Sequence, residues 1–471
     1  MPFFLHLIDS PFIKFEIHSL CEFFFKTFAQ PKNQFSGCLG IIMELAMKYK
    51  PFFNRFIYLC ASCVMFSSLS ADTIDEGDDI DARDINALRE WINTKRQVTV
   101  KELGGALSIA GEVRTEFQST GETRNGIKQR GVGGAVLGVG GIPIPQNGFD
   151  IEVNIMMDYR TDRTWGSIKL EFDNDAGVFS GTLNKLKLEK AYWGARMVDA
   201  DAYTIDAELG RRRMSTIVDS KIEFNSFFDG AWFKYDHGFE NLGDLYVHAG
   251  AFIINEHKEQ FGYVGEIGML NVGMTGFYTK YSLIDWDTKD FHNNVVKRRF
   301  DFIVSQLILG YKFVPNNLKK IVQIYLAGLC NHRARGRKIT DHKKVNLGGY
   351  AGFSIGEIRK KGDWAFDANY QVLQAQCIPD FDSQGIGLGN SINSGFYTVN
   401  VNDFDGLPGG KNTRKTAGGN VNYRGFQLTL DYLLTNQLDM QQSWQQAITL
   451  DHAIGPFRRF KQYEIEFIYG F

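Results

Sequence analysis

The sequence predicts an all-β fold: a transmembrane antiparallel β-barrel of about 16 strands with a short N-terminal helix. Three observations carry this expectation. Segments of about ten residues alternate apolar and polar side chains with period two. Long and short connections take turns between those segments. The last segment, YEIEFIYGF, keeps alternating to its final residue, with Tyr463, Ile465, Phe467, Tyr469 and Phe471 on one face. A frayed terminus would expose that apolar face for no gain, so something must cover it, lipid or a second protein layer.

Totals narrow the choice. Among 471 residues, 52 Lys and Arg oppose 54 Asp and Glu, a net charge of -2 that excludes a phosphate-neutralising nucleic-acid binder. A mean hydropathy of -0.22 argues against a bundle of membrane helices. A barrel escapes that test, because only every second residue of a strand faces lipid. The 49 Gly, 39 Phe and 19 Tyr against only 10 Pro suit such strands.

The elements follow in chain order. Residues 1–46 fit no domain and are expected to be a non-native upstream extension, with translation starting at Met47. Residues 47–71 have the layout of a secretory signal peptide: Lys48, Lys50 and Arg55, an apolar run from Phe56, and a small-residue site ending at Ala71, where cleavage is expected. Residues 72–105 read as an acidic, then helical, periplasmic or plug segment, with Ile85, Leu88 and Ile92 on one face and Asp81 or Asp84 as N-cap. Residues 106–471 are the barrel.

Within the barrel the alternation is clearest in DIEVNIMMDYR, where Ile151, Val153, Ile155, Met157 and Tyr159 oppose Asp150, Glu152, Asn154, Asp158 and Arg160. It recurs in SIKLEF, TIDAEL and GFQLTLDYLL. Strand starts are expected near Leu107, Asp150, Thr164, Leu186, Thr204, Gly230, Asp244, Gly262, Gly276, Phe300, Ile321, Asn346, Trp364, Gly425, Ser443 and Gln462, and the last strand is expected to pair with the first. Connections after odd strands are long (Gln118 to Gly148, Asp285 to Arg299, Asn331 to Val345, Ile378 to Tyr423). Those after even strands are tight (TDR, VDADA, EIRKKGD, QLDMQQ). Trp165, Trp193, Trp364 and Trp444 fall near the short-turn ends, as an interfacial aromatic girdle requires.

Chemistry-bearing motifs are few. The run Gly131 to Gly141 accommodates no G-x-G-x-x-G and reads as an exposed loop. NVNDFDG lacks the acidic residues of a calcium loop. His248 is the histidine that parity puts on the lumen side, where a wall role is expected over a general base. No catalytic residue, metal ligand or cofactor is expected. The polar face instead supplies an expected pore lining of Glu112, Arg114, Glu152, Asp158, Lys169, Glu171, Asp206, Glu208 and Arg212, of both signs. Arg211 to Arg213 suit a basic wall or an interfacial strand end equally. The cationic loop Asn331 to Val345 is expected to meet lipopolysaccharide phosphates. Of six cysteines, Cys330 and Cys377 lie beyond Ala71, too few for a disulfide scaffold. They fall two strands apart on the long-loop side, about 10 Å against a limit of ~7 Å, so exposed free thiols or an intermolecular bridge are expected there.

At LREWINTKRQVTVKELGGALSIAGEVRTEF (Leu88 to Phe117), with KELGG, the GRRRM segment (Gly210 to Met214) and the terminal aromatic strand, the sequence resembles outer-membrane porins of chlamydia-like bacteria, themselves similar to carbohydrate-selective porins. The resemblance implies a diffusion channel in the outer membrane of a Gram-negative bacterium, its solutes small and hydrophilic, with sugars a candidate class. The expected partners are outer-membrane lipid, lipopolysaccharide and the barrel-assembly machinery, for which Ile465, Phe467, Tyr469 and Phe471 form the signal. No nucleic acid is expected, and a homo-oligomer stays open. The alternative is a barrel that displays its long loops as a surface adhesin.

Overall fold

The structure, a computed structural model, describes residues 98–102, 105–135, 144–175, 183–255, 260–286, 302–334, 336, 342–379, 382–386, 392–393, 416–417, 421–452 and 457–471. The expected upstream extension, the signal peptide ending at Ala71 and the helix at Ile85 to Ile92 lie outside the described residues.

Sixteen antiparallel strands close into a barrel: β1 (Gly105–Arg124), β2 (Asn147–Arg160), β3 (Thr164–Asp175), β4 (Leu183–Asp199), β5 (Tyr203–Arg213), β6 (Phe227–Phe239), β7 (Gly243–Asn255), β8 (Gln260–Val272), β9 (Phe277–Trp286), β10 (Phe302–Phe313), β11 (Val322–Asn331), β12 (Leu347–Ile355), β13 (Trp364–Leu373), β14 (Tyr423–Leu433), β15 (Leu438–Thr449) and β16 (Arg458–Gly470). Each pairs with its sequence neighbours, and β16 pairs with β1 from Arg124↔Arg458 to Glu112↔Gly470, so no long edge is left open. Phe471 and Gly111 exchange two backbone hydrogen bonds of 2.9 Å that finish the seam. Beyond that point Val98–Glu102 takes up the same edge of β1, from Val98↔Ile109 to Glu102↔Gly105. These five residues were expected within an acidic and helical segment; a free row of β1 amides and carbonyls recruits them as strand instead.

Connection lengths alternate as the barrel expectation requires. The even-to-odd turns are short, such as 161–163, 200–202 and 434–437, whereas 374–422 separates β13 from β14. QLDMQQ is not a turn: β15 already begins at Leu438, where β16 offers a pairing partner as far as Tyr469.

The period-two face that points outward is apolar and exposed, including Phe117, Trp193, Phe233, Tyr263, Trp444 and Tyr469. Trp165 departs from the expected girdle. Its ring packs over Gly194 and its Nε1 donates to Glu208 at 3.2 Å, because a buried indole N–H needs an acceptor and the inner wall supplies one. Glycine abundance has a packing cause on the inner face. A Cβ at Gly262 would sit 2.2 Å from the Phe252 ring, and one at Gly310 would sit 2.1 Å from that of Tyr278, so each ring occupies the space its neighbour leaves empty.

Cys330 and Cys377 are free, but both are buried rather than exposed. Cys377 is carried inward with the 374–379 segment, whose backbone pairs with Val345 and Leu347, and it packs against Leu373 and Gly348. An intermolecular bridge has no accessible thiol to form from.

Candidate functional site: the barrel interior

Strand parity brings the charged residues of β16, β1 and β2 together on the inner face. Arg114 pairs with Glu112, reaches Glu466 at 3.3 Å and stands 3.8 Å from Glu152. Asn154 donates to Glu112 at 2.9 Å. A second group lies on β3 and β4, where Lys169 pairs with Glu189 and Lys187 with Glu171 at 2.8 Å. A third occupies β4 to β6. Glu208 meets Arg212 and, at 2.6 Å, Lys234, while Arg196 meets Asp206 at 3.0 Å. Asp158 belongs to none of these groups; it sits near the short-turn end of β2, opposite Ser108 and Ser167. Each cation here has a carboxylate within reach, which offsets the cost of partial burial and holds the side chains along the wall.

Sequence reasoning missed the segment between β5 and β6. Residues 214–226 turn into the barrel. Met214, Val218, Ile222 and Phe224 are buried against Phe228, Trp232, Ile284, Leu329 and Leu373. Polar contacts tie the segment to strands far along the chain. Lys280 reaches Asp219 at 3.1 Å, Gln306 donates to the Asp219 carbonyl at 2.7 Å, Ser220 bonds Gln306 at 2.8 Å, and Lys221 meets Asp367 at 3.2 Å. The available signal was apolar content: TIVDSKIEF carries Ile217, Val218, Ile222 and Phe224, too much for a solvated connection.

The connection after β13 also enters. Its Gln384 donates to the Ser220 carbonyl and its backbone N–H to the Ile222 carbonyl at 2.9 Å. Asp382 is fully buried and accepts from the backbone N–H groups of Phe224 at 3.2 Å and Ser226 at 2.9 Å, while Asn225 donates to the Asp382 carbonyl at 3.0 Å. These bonds hold Phe224 at φ +77°, a left-handed conformation that costs a bulky residue about 1–3 kcal/mol. Glu223 is buried beside Asp382 with neither carboxylate oxygen hydrogen-bonded among the described residues. Burial, then repulsion from Asp382, raises the Glu223 pKa well above the usual carboxylate range; burial pushes Asp382 up to about 7.

Among the described residues, the two inward segments pack on inner-face residues of β6, β9, β10 and β13, such as Phe228, Lys280, Gln306 and Asp367. Trp232, Ile284, Gln306 and Gln371, inner-face residues of β6, β9, β10 and β13, are 0–1% exposed. On β1 and β2, by contrast, Arg114 and Glu152 keep 27–28% of their side-chain surface open. His248 lies on β7, its ring against Tyr246 and Trp232 and its Nε2 3.5 Å from Asp236. Residues 335 and 337–341 of the cationic Asn331 to Val345 loop, and the Gly-rich stretch from Val136, lie outside the described residues.

The chain matches no protein-family model, and no curated protein matches it. Among solved structures it is similar to a high-pH structure of Pseudomonas putida OprB, at 8% identity, covering 82% of this chain and 97% of that one with a TM-score of 0.43. It is also similar to a triple mutant of Rhodopseudomonas blastica porin, at 10% identity, covering 78% of this chain and 100% of that one with a TM-score of 0.37.

Proposed function

We propose that this chain is a porin-type channel in the outer membrane of a Gram-negative bacterium, passing small hydrophilic solutes by diffusion along the charged wall of β16 and β1 to β5. The observation that carries the reading is the contrast between faces. The outside of a closed barrel is apolar and exposed, which suits lipid; the inside carries a charged wall on which Arg114 and Glu152 keep over a quarter of their side-chain surface open, which suits water. The segment at 214–226 narrows the passage. Glu112, Arg114, Glu152, Asp158, Lys169, Glu171, Asp206, Glu208 and Arg212 are its lining in this reading. Mixed charge with near-complete pairing disfavours a strong preference for either ion sign and favours neutral solutes, sugars among them. In the same reading Ile465, Phe467, Tyr469 and Phe471 present the apolar face on which the barrel-assembly machinery acts.

Planar-bilayer recording of the purified, folded chain tests this. Ohmic single-channel steps with a small reversal potential in a salt gradient are expected, as is sugar-dependent swelling of liposomes that carry the protein. A sealed barrel with no conductance overturns it.

A further inference from the structure

The outer face of the β1–β16 seam carries cations that no carboxylate among the described residues pairs with. At the long-loop end of β16, Arg459 and Lys461 are exposed and alternate with buried Arg458, Phe460 and Gln462, so they continue the outward file of Tyr463, Ile465, Phe467 and Tyr469. Register adds a third cation. Thr123 of β1 pairs with Arg459 on one side and with Lys128 on the other, so Lys128 shares that face two strand spacings away, about 10 Å. Lys461 lies over Gly121, where a Cβ would come 2.7 Å from its Cε.

Inside the wall at the same level, charges are matched. Arg130 and Arg458 meet Glu122 at 3.2 and 2.7 Å. Outside, among the described residues, no carboxylate lies within 4.0 Å of Lys128, Arg459 or Lys461. Arg459 has instead the Phe457 ring, 5.1 Å from its guanidinium carbon. A cavity of about 430 Å³ opens between these side chains, lined by Lys128, Arg459 and Lys461 with Gln446, and reached from the inner side by Glu122, whose charge Arg130 and Arg458 already match. Three like charges held on one face repel one another, and an anion placed among them removes that repulsion.

The geometry points to a binding site for the phosphate monoester of a lipid headgroup, held by Lys128, Arg459 and Lys461 with its acyl chains lying along the aromatic file below. The inference rests on the membrane placement proposed above. A monoester carries a charge of about -1.5 to -2 at pH 7, which matches several cations better than the single charge of a diester. Lipid is favoured over a dissolved anion because the cations share their face with Tyr463 and with the Phe117–Phe149 ring pair, whose centroids are 4.7 Å apart. A headgroup seated there brings its own hydrocarbon to those rings.

The test places the full folded chain in phosphatidylcholine nanodiscs doped with bisphosphorylated lipid A and measures, by native mass spectrometry, the lipid A retained. Wild type should retain it at least tenfold over its share of the bilayer. The triple variant K128Q/R459Q/K461Q should lose that enrichment and keep wild-type conductance, because none of the three lines the proposed passage. A charge-preserving K128R/K461R variant should restore retention and guards against a folding defect in the triple. Equal retention by the triple variant overturns the site. So does inorganic phosphate binding as tightly in detergent without lipid A, since that describes a free-anion site. Enrichment without any channel conductance removes the channel reading and leaves the lipid site standing.

Discussion

Replacing Asp382 with alanine should release the 214–226 segment from the wall. The carboxylate accepts two backbone N–H groups, from Phe224 at 3.2 Å and Ser226 at 2.9 Å, and Asp382 is fully buried. Truncation leaves both donors without their acceptor, at about 1–3 kcal/mol each, so docking weakens by roughly 2–6 kcal/mol. The left-handed Phe224 then loses the contacts that hold it, which favours release further. A loss of even ~2 kcal/mol raises the open population about 30-fold. Hydrogen–deuterium exchange of peptides covering residues 217–226 reads this directly, because protection of a local unit reports its opening equilibrium. Asp382→Ala should exchange at least 30-fold faster there, Asp382→Asn by a smaller factor because one acceptor oxygen survives, and β1 to β5 should be unchanged. Bilayer currents of the alanine variant should be larger and noisier. Unchanged protection of 217–226 in a folded Asp382→Ala barrel would refute the role given to this carboxylate.

Three further outcomes are expected. Glu223 and Asp382 hold protons when docked that they release when undocked, since both folded pKa values are raised, Asp382 from 3.8 to about 7. Docking is therefore strongest in acid and weakens as pH rises through that interval, so protection of 217–226 should fall and conductance rise on going from about pH 5 to about pH 8; the opposite trend would contradict the assignment. Deleting Phe471 removes the two hydrogen bonds to Gly111, and Gly111→Val drives a side chain into the Phe471 ring, which lies 2.3 Å from a Cβ there; both variants should accumulate in the periplasm, and wild-type amounts of heat-modifiable barrel on gels would count against the seam as an assembly element. Cys330 and Cys377, 7% and 0% exposed, should resist maleimide until the chain is denatured, and a disulfide-linked dimer on non-reducing gels would show that the region around Leu347 is packed differently.

What the sequence determined by itself is the barrel and its strand order. Period two in DIEVNIMMDYR and YEIEFIYGF, with alternating connection lengths, is a local property of the chain, and every expected strand start lies within five residues of an observed one, Ser443 against Leu438 being the widest. Parity likewise assigns Glu112 and Arg114 to one face, but it says nothing about Glu466, which Arg114 meets across the closing seam 352 residues away. Only closure of the sheet makes them neighbours. The same holds for residues 214–226. Their apolar content is local, whereas their direction depends on Gln306, Asp367 and Asp382, which lie 86, 146 and 158 residues from the groups they hold. An inward segment is stable only when distant strands supply the acceptors and donors that water would otherwise provide, and that arrangement exists in the tertiary structure alone.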